Sequence, residues 1–124
     1  MKTKNIIGGL IIIIVLLFGG YYYNEAVTPG QHDEFAQCIA DSGAKFYGAF
    51  WCPHCADQKA LFGKSEKLLP YIECSTPNGQ AQLQICIDEE IKSYPTWEFP
   101  DASRISGSID FEQLAEKTGC ALPE

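Results

Sequence analysis

The sequence predicts an α/β domain, a four-stranded mixed sheet flanked by helices, preceded by one N-terminal transmembrane helix. The opening segment carries no charge over residues 6–23. The remainder alternates segments of helical and strand periodicity, which is typical of a sheet covered by helices. Six cysteines in 124 residues indicate a small domain stapled by disulfides, since a core of this size is marginally stable alone.

Residues 1–23 are predicted to be a membrane anchor. The uncharged stretch 6–23 reaches the lower limit of length for crossing a bilayer. Because Lys2 and Lys4 precede it, the positive-inside rule places the N-terminus in the cytoplasm and the domain on the extracytoplasmic side, periplasmic or lumenal. A cleaved signal peptide is the alternative, but bulky tyrosines rather than a small-residue cleavage site follow Gly20.

The chain after the anchor divides into a linker, residues 24–31, and a folded domain, residues 32–124. The linker contains a Pro-Gly pair and shows no apolar periodicity. In the domain, apolar residues spaced at i, i+3 and i+4 from Phe35 predict a helix that ends at Gly43. The aromatic-rich run 45–51 predicts the first strand.

The central helix is predicted to begin at Pro53, because proline is favoured at the first helical position. It runs to about residue 67, with a bend near Gly63. A strand over 70–74 follows, then a turn rich in Ser, Thr, Pro, Asn and Gly. Residues 81–91 are predicted to be helical.

Two short strands and a final helix complete the domain. The strand 96–99 is entered through a proline, and 103–105 is its hairpin partner after a Pro-Asp turn. Ser108 or Asp110 caps the last helix, and Gly119 ends it. The resulting order, αβαβαββα, indicates a sheet between helices.

Composition excludes one class of partner. The net charge is −7, and an acidic domain without a basic stripe repels phosphate backbones, so nucleic acid is not expected as a partner. The sequence contains no flavin, nucleotide or haem motif, and no cofactor is expected.

A Cys-Pro-His-Cys motif stands at the predicted junction of strand and helix. The free N–H groups and positive end of a helix dipole favour a thiolate at Cys52. Cys55 lies on the same helical face and can close a disulfide with Cys52, while Pro53 restrains the turn. His54, when protonated, adds a second positive influence. Stabilising the thiolate stabilises the reduced form, which makes the disulfide a stronger oxidant.

Two other interpretations of this motif are half of a zinc site and an inert structural disulfide. The chain has no second Cys-x-x-Cys, and its other cysteines are widely spaced. His54 lies between the two cysteines, where its geometry for sharing their metal is poor. We therefore favour a redox pair and expect no metal, with Cys52 as the nucleophile and Cys55 as the resolving residue.

The motif and its surroundings resemble a known superfamily. Phe50-Trp51-Cys52-Pro53-His54-Cys55 resembles the active-site segment of the thioredoxin superfamily, and Tyr94-Pro95-Thr96 resembles its cis-proline loop. The stretches 43–59, 69–74 and 93–98 are similar to the thioredoxin-like domain that is fused to, or partnered with, bacterial and plant vitamin K epoxide reductase homologues. The resemblance covers nearly all of the domain and implies a thioredoxin-like fold.

The resemblance also implies partners and site residues. In that family the domain exchanges disulfides with cysteine-containing substrate proteins, and a membrane quinone reductase re-oxidises it. This chain has one apolar segment, so a separate membrane partner of the vitamin K epoxide reductase type is expected. Pro95 would pack beside the cysteine pair and leave the Tyr94 backbone free to bind an extended substrate, while Trp51 lines the substrate groove. Alternatively, Pro95 only ends a helix and starts a strand.

One departure from the superfamily concerns proton transfer. In many thioredoxins a buried Asp lies six residues before the first cysteine and helps to move protons, whereas Phe46 stands there in this chain. This difference argues against thioredoxin-like reduction. Glu98, on the strand after Pro95, is a candidate proton acceptor, and the alternative is a solvated or ion-paired Glu98.

The other four cysteines allow three pairings. We predict Cys74–Cys86, where the resembled domain has cysteines near both positions, and Cys38–Cys120, which would join the first and last helices of the domain. A second redox pair at Cys74–Cys86 is the functional alternative to a structural bond.

The leading hypothesis is thus an extracytoplasmic thiol–disulfide oxidoreductase acting as a dithiol oxidase. The same centre run in reverse, as a membrane-tethered reductase or isomerase, is the nearest alternative. A metal-binding or adhesin-like module that uses the fold as a scaffold is the alternative from another class.

Overall fold

The computed structural model describes residues 2–124, and Met1, the first residue of the predicted anchor, lies outside it. In chain order the elements are α1 (Lys2–Val27), α2 (Asp33–Asp41), β1 (Lys45–Gly48), α3 (Pro53–Ala60), a 3₁₀ helix (Gly63–Leu68), β2 (Tyr71–Glu73), α4 (Gln84–Asp88), β3 (Thr96–Glu98), β4 (Arg104–Ser106) and α5 (Phe111–Thr118). The prediction of a thioredoxin-like α/β fold is confirmed.

The four strands form one mixed sheet in the order β2-β1-β3-β4. β1 pairs in parallel with β2 and antiparallel with β3, and β3 pairs antiparallel with β4. In this register Phe46 lies opposite both Tyr71 and Trp97. β1 is therefore a central strand, and the chain leaves it directly towards α3, the helix that carries the cysteine motif.

The two faces of the sheet bury different sets of side chains. On one face Phe46 stacks on Trp97 with ring centroids 4.6 Å apart, in a cluster that includes Cys52 and Cys55. On the other, Tyr47 packs with Cys74, Cys86 and Ile91. This is the period-two alternation of a strand buried on both sides, and it makes the cysteine motif part of the main core.

Helix α1 stands apart from this core. It is long and apolar enough to cross a membrane, and none of its candidate span, Thr3–Val27, is buried. Its 26 residues correspond to about 39 Å at 1.5 Å per residue. The helix continues past the predicted end of the anchor into the first half of the predicted linker, where Glu25 pairs with Lys64 of the domain at 2.6 Å.

Two predicted helices are shorter in the structure. The helix expected up to residue 67 ends at Ala60, and a 3₁₀ helix begins at Gly63, whose positive φ of 52° breaks the α-helical path. The helix expected over 81–91 is confined to α4. A bridge between Ser75 and Gln82 holds the chain extended just before α4, so tertiary pairing overrides local propensity there.

Two disulfides staple the domain, and they are the two pairs expected from the sequence. Cys38–Cys120 joins α2 to the chain after α5, and Cys74–Cys86 joins the end of β2 to α4. The bonded cysteines are separated by 82 and 12 positions in the sequence, respectively. The loop-entropy relation gives upper-end stabilisation of about 4.5 and about 3 kcal/mol respectively, a large share of the stability of a small domain.

Candidate active site

The cysteine motif forms the first turn of α3. Cys52 is the N-cap in extended conformation, Pro53 occupies the first turn, and the backbone N–H of Cys55 donates to Cys52 Sγ at 3.2 Å. Both cysteines carry free thiols, and only 5% of Cys52 and 1% of Cys55 is exposed. An N-cap side chain that accepts a helical N–H is the arrangement expected to favour an anion at that position.

The two thiols occupy different environments. Burial, followed by the hydrogen bond to Cys52, raises the pKa of the Cys55 thiol to about 12. A backbone hydrogen bond from Ala49 and the charge of Lys59 act in the opposite direction. Cys55 therefore holds its proton at neutral pH, whereas Cys52 lies at the N-terminus of α3, where its sulfur accepts a backbone N–H. This asymmetry is consistent with an attacking Cys52 and a resolving Cys55.

His54 lies at the surface of the motif. Its side chain is 75% exposed, with Nδ1 3.8 Å from Asp57 Oδ2. Its backbone carbonyl accepts a hydrogen bond from Ser108 Oγ at 2.9 Å. The structure thus turns the imidazole towards solvent and a carboxylate, and the influence of His54 on the thiolate stays a prediction.

Two of the three predicted substrate-side residues, Trp51 and Tyr94, line one cleft. The Tyr94–Pro95 peptide bond is cis and Pro95 is fully buried. The rings of Trp51 and Tyr94 meet edge to face with centroids 6.0 Å apart. They line a cleft of about 240 Å³ together with Ser75 and Gln82. The structure therefore brings Trp51 and Tyr94 together.

Hydrogen bonds fix the walls of this cleft. Trp51 Nε1 donates to Ser75 Oγ at 2.9 Å, and Gln82 Nε2 donates to the Tyr94 hydroxyl at 2.7 Å. The same Gln82 amide donates to the carbonyl of Ile91. Even so, 53% of Trp51 is exposed, so an aromatic surface remains open next to Cys52.

A Tyr–Glu pair beneath the motif was not predicted from the sequence. The Tyr71 hydroxyl donates to Glu73 Oε2 at 2.8 Å. Glu73 Oε1 accepts from the backbone N–H groups of Phe50 and Ser75, at 3.2 and 2.9 Å. Lys59 Nζ lies 3.4 Å from the centroid of the Tyr71 ring. The i, i+2 spacing of the pair on one strand was the signal that could have placed both side chains on one face.

Gly48 allows this pair to approach the cysteines. A Cβ at Gly48 would lie 2.7 Å from Tyr71 Cε2, 3.0 Å from Cys55 Sγ and 3.3 Å from Tyr71 Oη. No side chain fits in such a space without displacing one of these groups. The absence of a side chain at this strand position therefore lets the tyrosine hydroxyl and the buried sulfur both approach the same backbone position.

Glu98 is ion-paired. It lies 2.8 Å from Lys45 Nζ and also contacts Arg104, and 15% of its side chain is exposed. The hydrogen bond from Lys45, and next that from Arg104, lower the pKa of Glu98. It alternates with Trp97, whose side chain lies in the cysteine cluster, so it faces the other side of the sheet. The structure supports the ion-paired alternative rather than a proton acceptor for the cysteines.

Within residues 2–124, no group of three or more His, Cys, Asp or Glu side chains is arranged to hold a metal ion.

No family model matches the chain. The chain is 45% identical over 94 residues to the thiol-disulfide oxidoreductase LTO1 of Arabidopsis thaliana. This chain is a relative of a thiol-disulfide oxidoreductase. The match spans 72% of this chain but only 24% of the plant protein, so the chain corresponds to about a quarter of that relative.

Proposed function

We propose that this chain is a membrane-tethered thiol–disulfide oxidoreductase that works through Cys52 and Cys55. The observation that carries the proposal is the pair of free thiols at the start of α3, with the Cys55 N–H directed at Cys52 Sγ. Similarity to a protein named as a thiol-disulfide oxidoreductase supports the same reaction class.

In the oxidising direction, a substrate thiolate attacks Cys52 in the Cys52–Cys55 disulfide. The sulfur–sulfur bond breaks and Cys55 leaves as a thiolate, which takes up a proton because its pKa is raised to about 12 by burial. A second substrate thiolate then attacks the mixed disulfide and releases Cys52 as a thiolate. The substrate gains a disulfide, and its two electrons reside on the cysteine pair.

The direction we propose is that of a dithiol oxidase. The helix N-terminus favours the thiolate of Cys52, which stabilises the reduced pair and makes its disulfide oxidising. Phe46, fully buried in the core, occupies the place of the acid that assists thioredoxin-like reduction in the resembled family. A reductase or isomerase is the alternative, and the redox state of Cys52–Cys55 in cells separates the two. A mostly oxidised pair agrees with an oxidase, and a mostly reduced pair contradicts it.

The site of action we propose is the extracytoplasmic side of a membrane. The apolar helix α1 supports tethering, and the lysines before it support an N-terminus in the cytoplasm. Two disulfides in so small a domain agree with an oxidising compartment. By its resemblance, the pair would be re-oxidised by a separate membrane quinone reductase of the vitamin K epoxide reductase type.

The proposed substrates are cysteine-containing proteins that present an extended segment. The cleft between Trp51 and Tyr94 lies beside Cys52 and has room for a peptide side chain, with a volume of about 240 Å³. Exposed aromatic surface at Trp51 and Phe50 supplies apolar contact without demanding one sequence.

A trapping experiment tests the proposed function. Cys55→Ala removes the resolving thiol, so Cys52 is expected to accumulate in mixed disulfides with client proteins, visible on non-reducing gels and identifiable by mass spectrometry. Cys52→Ala is the matched control, because the remaining Cys55 is buried and is expected to trap no clients. Equal amounts of mixed disulfide in the two variants, or stoichiometric zinc in the purified wild-type protein, would contradict the proposal and favour a metal-binding module.

A further inference from the structure

The buried position of Cys55 creates a requirement for proton transfer. If the proposed function holds, Cys55 must lose a proton each time it resolves a mixed disulfide and regain one each time it leaves. Only 1% of the residue is exposed, so bulk water reaches the sulfur poorly. A thiol attacks only as its thiolate, and the free energy of forming that thiolate in the core is large. A proton acceptor near Cys55 would therefore set the rate of this step.

The structure brings such an acceptor to the sulfur from the neighbouring strand. Cys55 Sγ and Tyr71 Oη both lie against Gly48, 3.0 and 3.3 Å from the point where its Cβ would stand. The two atoms are thus no farther apart than the sum of those distances, which is within reach through one water. The Tyr71 hydroxyl donates in turn to Glu73 Oε2 at 2.8 Å.

We propose that Tyr71 and Glu73 conduct protons between Cys55 and solvent during disulfide exchange. In resolution, the S–H bond of Cys55 breaks as its proton passes to Tyr71 Oη, and the tyrosine passes its own hydroxyl proton to Glu73. The electron pair left on Cys55 forms the bond to Cys52. The bond from Cys52 to the substrate breaks, and the substrate leaves as a thiolate. When a substrate instead attacks the disulfide, the proton returns along the same groups.

The surroundings of the pair suit this role. Lys59 Nζ lies over the Tyr71 ring at 3.4 Å, and its charge favours the thiolate of Cys55. A cavity of about 230 Å³, lined in part by Cys55, Lys59 and Glu66, has room for an ordered water beside the buried residue. Burial, then the bond to Glu73, raises the pKa of Tyr71, so the tyrosine relays a proton rather than ionising.

Other titratable groups face the same region. Cys52 is the N-cap beside Cys55, and its charge as a thiolate raises the pKa of both Cys55 and Tyr71. Tyr94 packs from the loop before β3, and its pKa is raised by burial and by the charges of Glu73 and Cys55. Of the groups named here, Glu73 is the carboxylate bonded to the tyrosine hydroxyl, so it is the terminal acceptor.

The two carboxylate oxygens of Glu73 accept hydrogen bonds from different donors, so a substitution can change one set of bonds and keep the other. Oε1 accepts from the N–H groups of Phe50 and Ser75, whereas Oε2 accepts from Tyr71. Glu73→Gln keeps the amide oxygen for the two backbone groups and places an NH₂ opposite Tyr71, which cannot accept a proton. Tyr71→Phe removes the hydroxyl and keeps the ring beneath Lys59. Glu98→Gln, on the other face of the sheet, is the matched control.

The test follows the two thiols separately in the reduced full chain, held in detergent micelles and mixed with the aromatic disulfide reagent 5,5′-dithiobis(2-nitrobenzoate). The first coloured thiolate reports attack by Cys52, and the second reports attack by Cys55 on the mixed disulfide. We expect Glu73→Gln and Tyr71→Phe to slow the second release by about 100-fold at neutral pH, within the usual range for lost proton transfer, and to leave the first unchanged.

The pH profile separates proton transfer from loose packing. A carboxylate acceptor is available across neutral pH, so the second release in the wild type is expected to depend weakly on pH. In both variants it should rise about tenfold per pH unit, because thiolate must then form by loss of a proton to solvent. Glu98→Gln should match the wild type in both phases.

Each outcome decides the matter. A second release within about twofold of the wild type in both variants, with the same pH profile, would overturn the proton path. Slower release with an unchanged pH profile would assign the pair a structural role and overturn it equally. Circular dichroism checks that each variant is folded, and Tyr71→Phe alone decides if Glu73→Gln unfolds. A wild-type protein that releases no second thiolate would instead contradict the proposed function.

Discussion

Gln58 is the buried polar residue that fixes α3 against the rest of the domain, and its replacement tests how the motif is positioned. The residue is fully buried, and its side chain makes three hydrogen bonds. Nε2 donates to the carbonyl of Ile109 at 3.0 Å. Oε1 accepts from the Ile109 N–H at 2.8 Å and from Trp97 Nε1 at 3.3 Å. One amide therefore joins the cysteine helix, the segment before α5 and the central sheet.

Gln58→Met preserves the length of the side chain and removes all three bonds. Two backbone groups of Ile109 and the Trp97 N–H would then lack partners in the core. Each unsatisfied buried group costs about 1–3 kcal/mol, and partial relaxation reduces the sum, so we expect a loss of about 3–5 kcal/mol in the free energy of unfolding. The melting temperature should fall by tens of degrees, since about 1 kcal/mol corresponds to roughly 4–8 °C in a domain of this size.

Urea unfolding of the full chain in micelles, followed by circular dichroism, measures this loss. Gln84→Met is the matched control, because Gln84 is an exposed helical glutamine whose amide donates to Asp88 on the same helix. We expect that control to change stability by less than about 0.5 kcal/mol. If Gln58→Met cost less than about 1 kcal/mol, the three hydrogen bonds would not hold α3 in place, and the reasoning would be refuted.

Two further predictions follow from the contacts of the sheet. Gly48→Ala introduces a Cβ 2.7 Å from the Tyr71 ring and 3.0 Å from Cys55 Sγ. We expect the overpacking to lower the free energy of unfolding by about 1–3 kcal/mol and to slow the second thiol release selectively. Unchanged stability in urea unfolding would contradict this prediction. Glu98→Gln should cost about 1 kcal/mol at neutral pH. The lowered pKa of Glu98 means that its stabilisation is present above the pKa of an unfolded glutamate and is lost as pH falls through the folded pKa. The difference between wild type and variant should therefore vanish in acid, and a difference that persists there would contradict the ion-pair assignment.

Local sequence signals were sufficient for most of the fold. The strands β1 and β3 follow from aromatic, alternating runs, and α5 begins after Asp110 and ends at Gly119 with a left-handed φ of 76°, as the capping residues predict. The Cys-x-x-Cys motif was equally local, because a proline at the first helical position makes Cys52 the N-cap. These features depend on neighbours within a few residues along the chain.

The features that could not be predicted depend on pairing across the sheet. The approach of Tyr71 and Cys55 to Gly48 requires the parallel register that sets Gly48 opposite Glu73, and no local pattern specifies that register. The short α4 has a different origin, since an isolated bridge of Gln82 to Ser75, outside the sheet, holds the preceding residues extended. The position of Glu98 after Pro95 makes it a candidate proton acceptor, but its ion-pair partners Lys45 and Arg104 come from the two strands that pair with β3.

The cysteine spacer alone does not determine the chemistry of this centre. One turn of α3 presents Cys52 to the free N–H groups of a helix end and places Cys55 inside an aromatic core, where burial raises its pKa to about 12. In the proposed exchange, a stabilised Cys52 thiolate would lower the cost of releasing Cys52, whereas the burial of Cys55 would raise the cost of every step in which Cys55 attacks or leaves. A substitution of Pro53 or His54, the two residues between the cysteines, would change mainly the stability of the Cys52 thiolate. The cost of ionising Cys55 depends instead on the groups that approach it from the adjacent strand. The rate of exchange and the redox equilibrium should therefore respond to different residues of this domain.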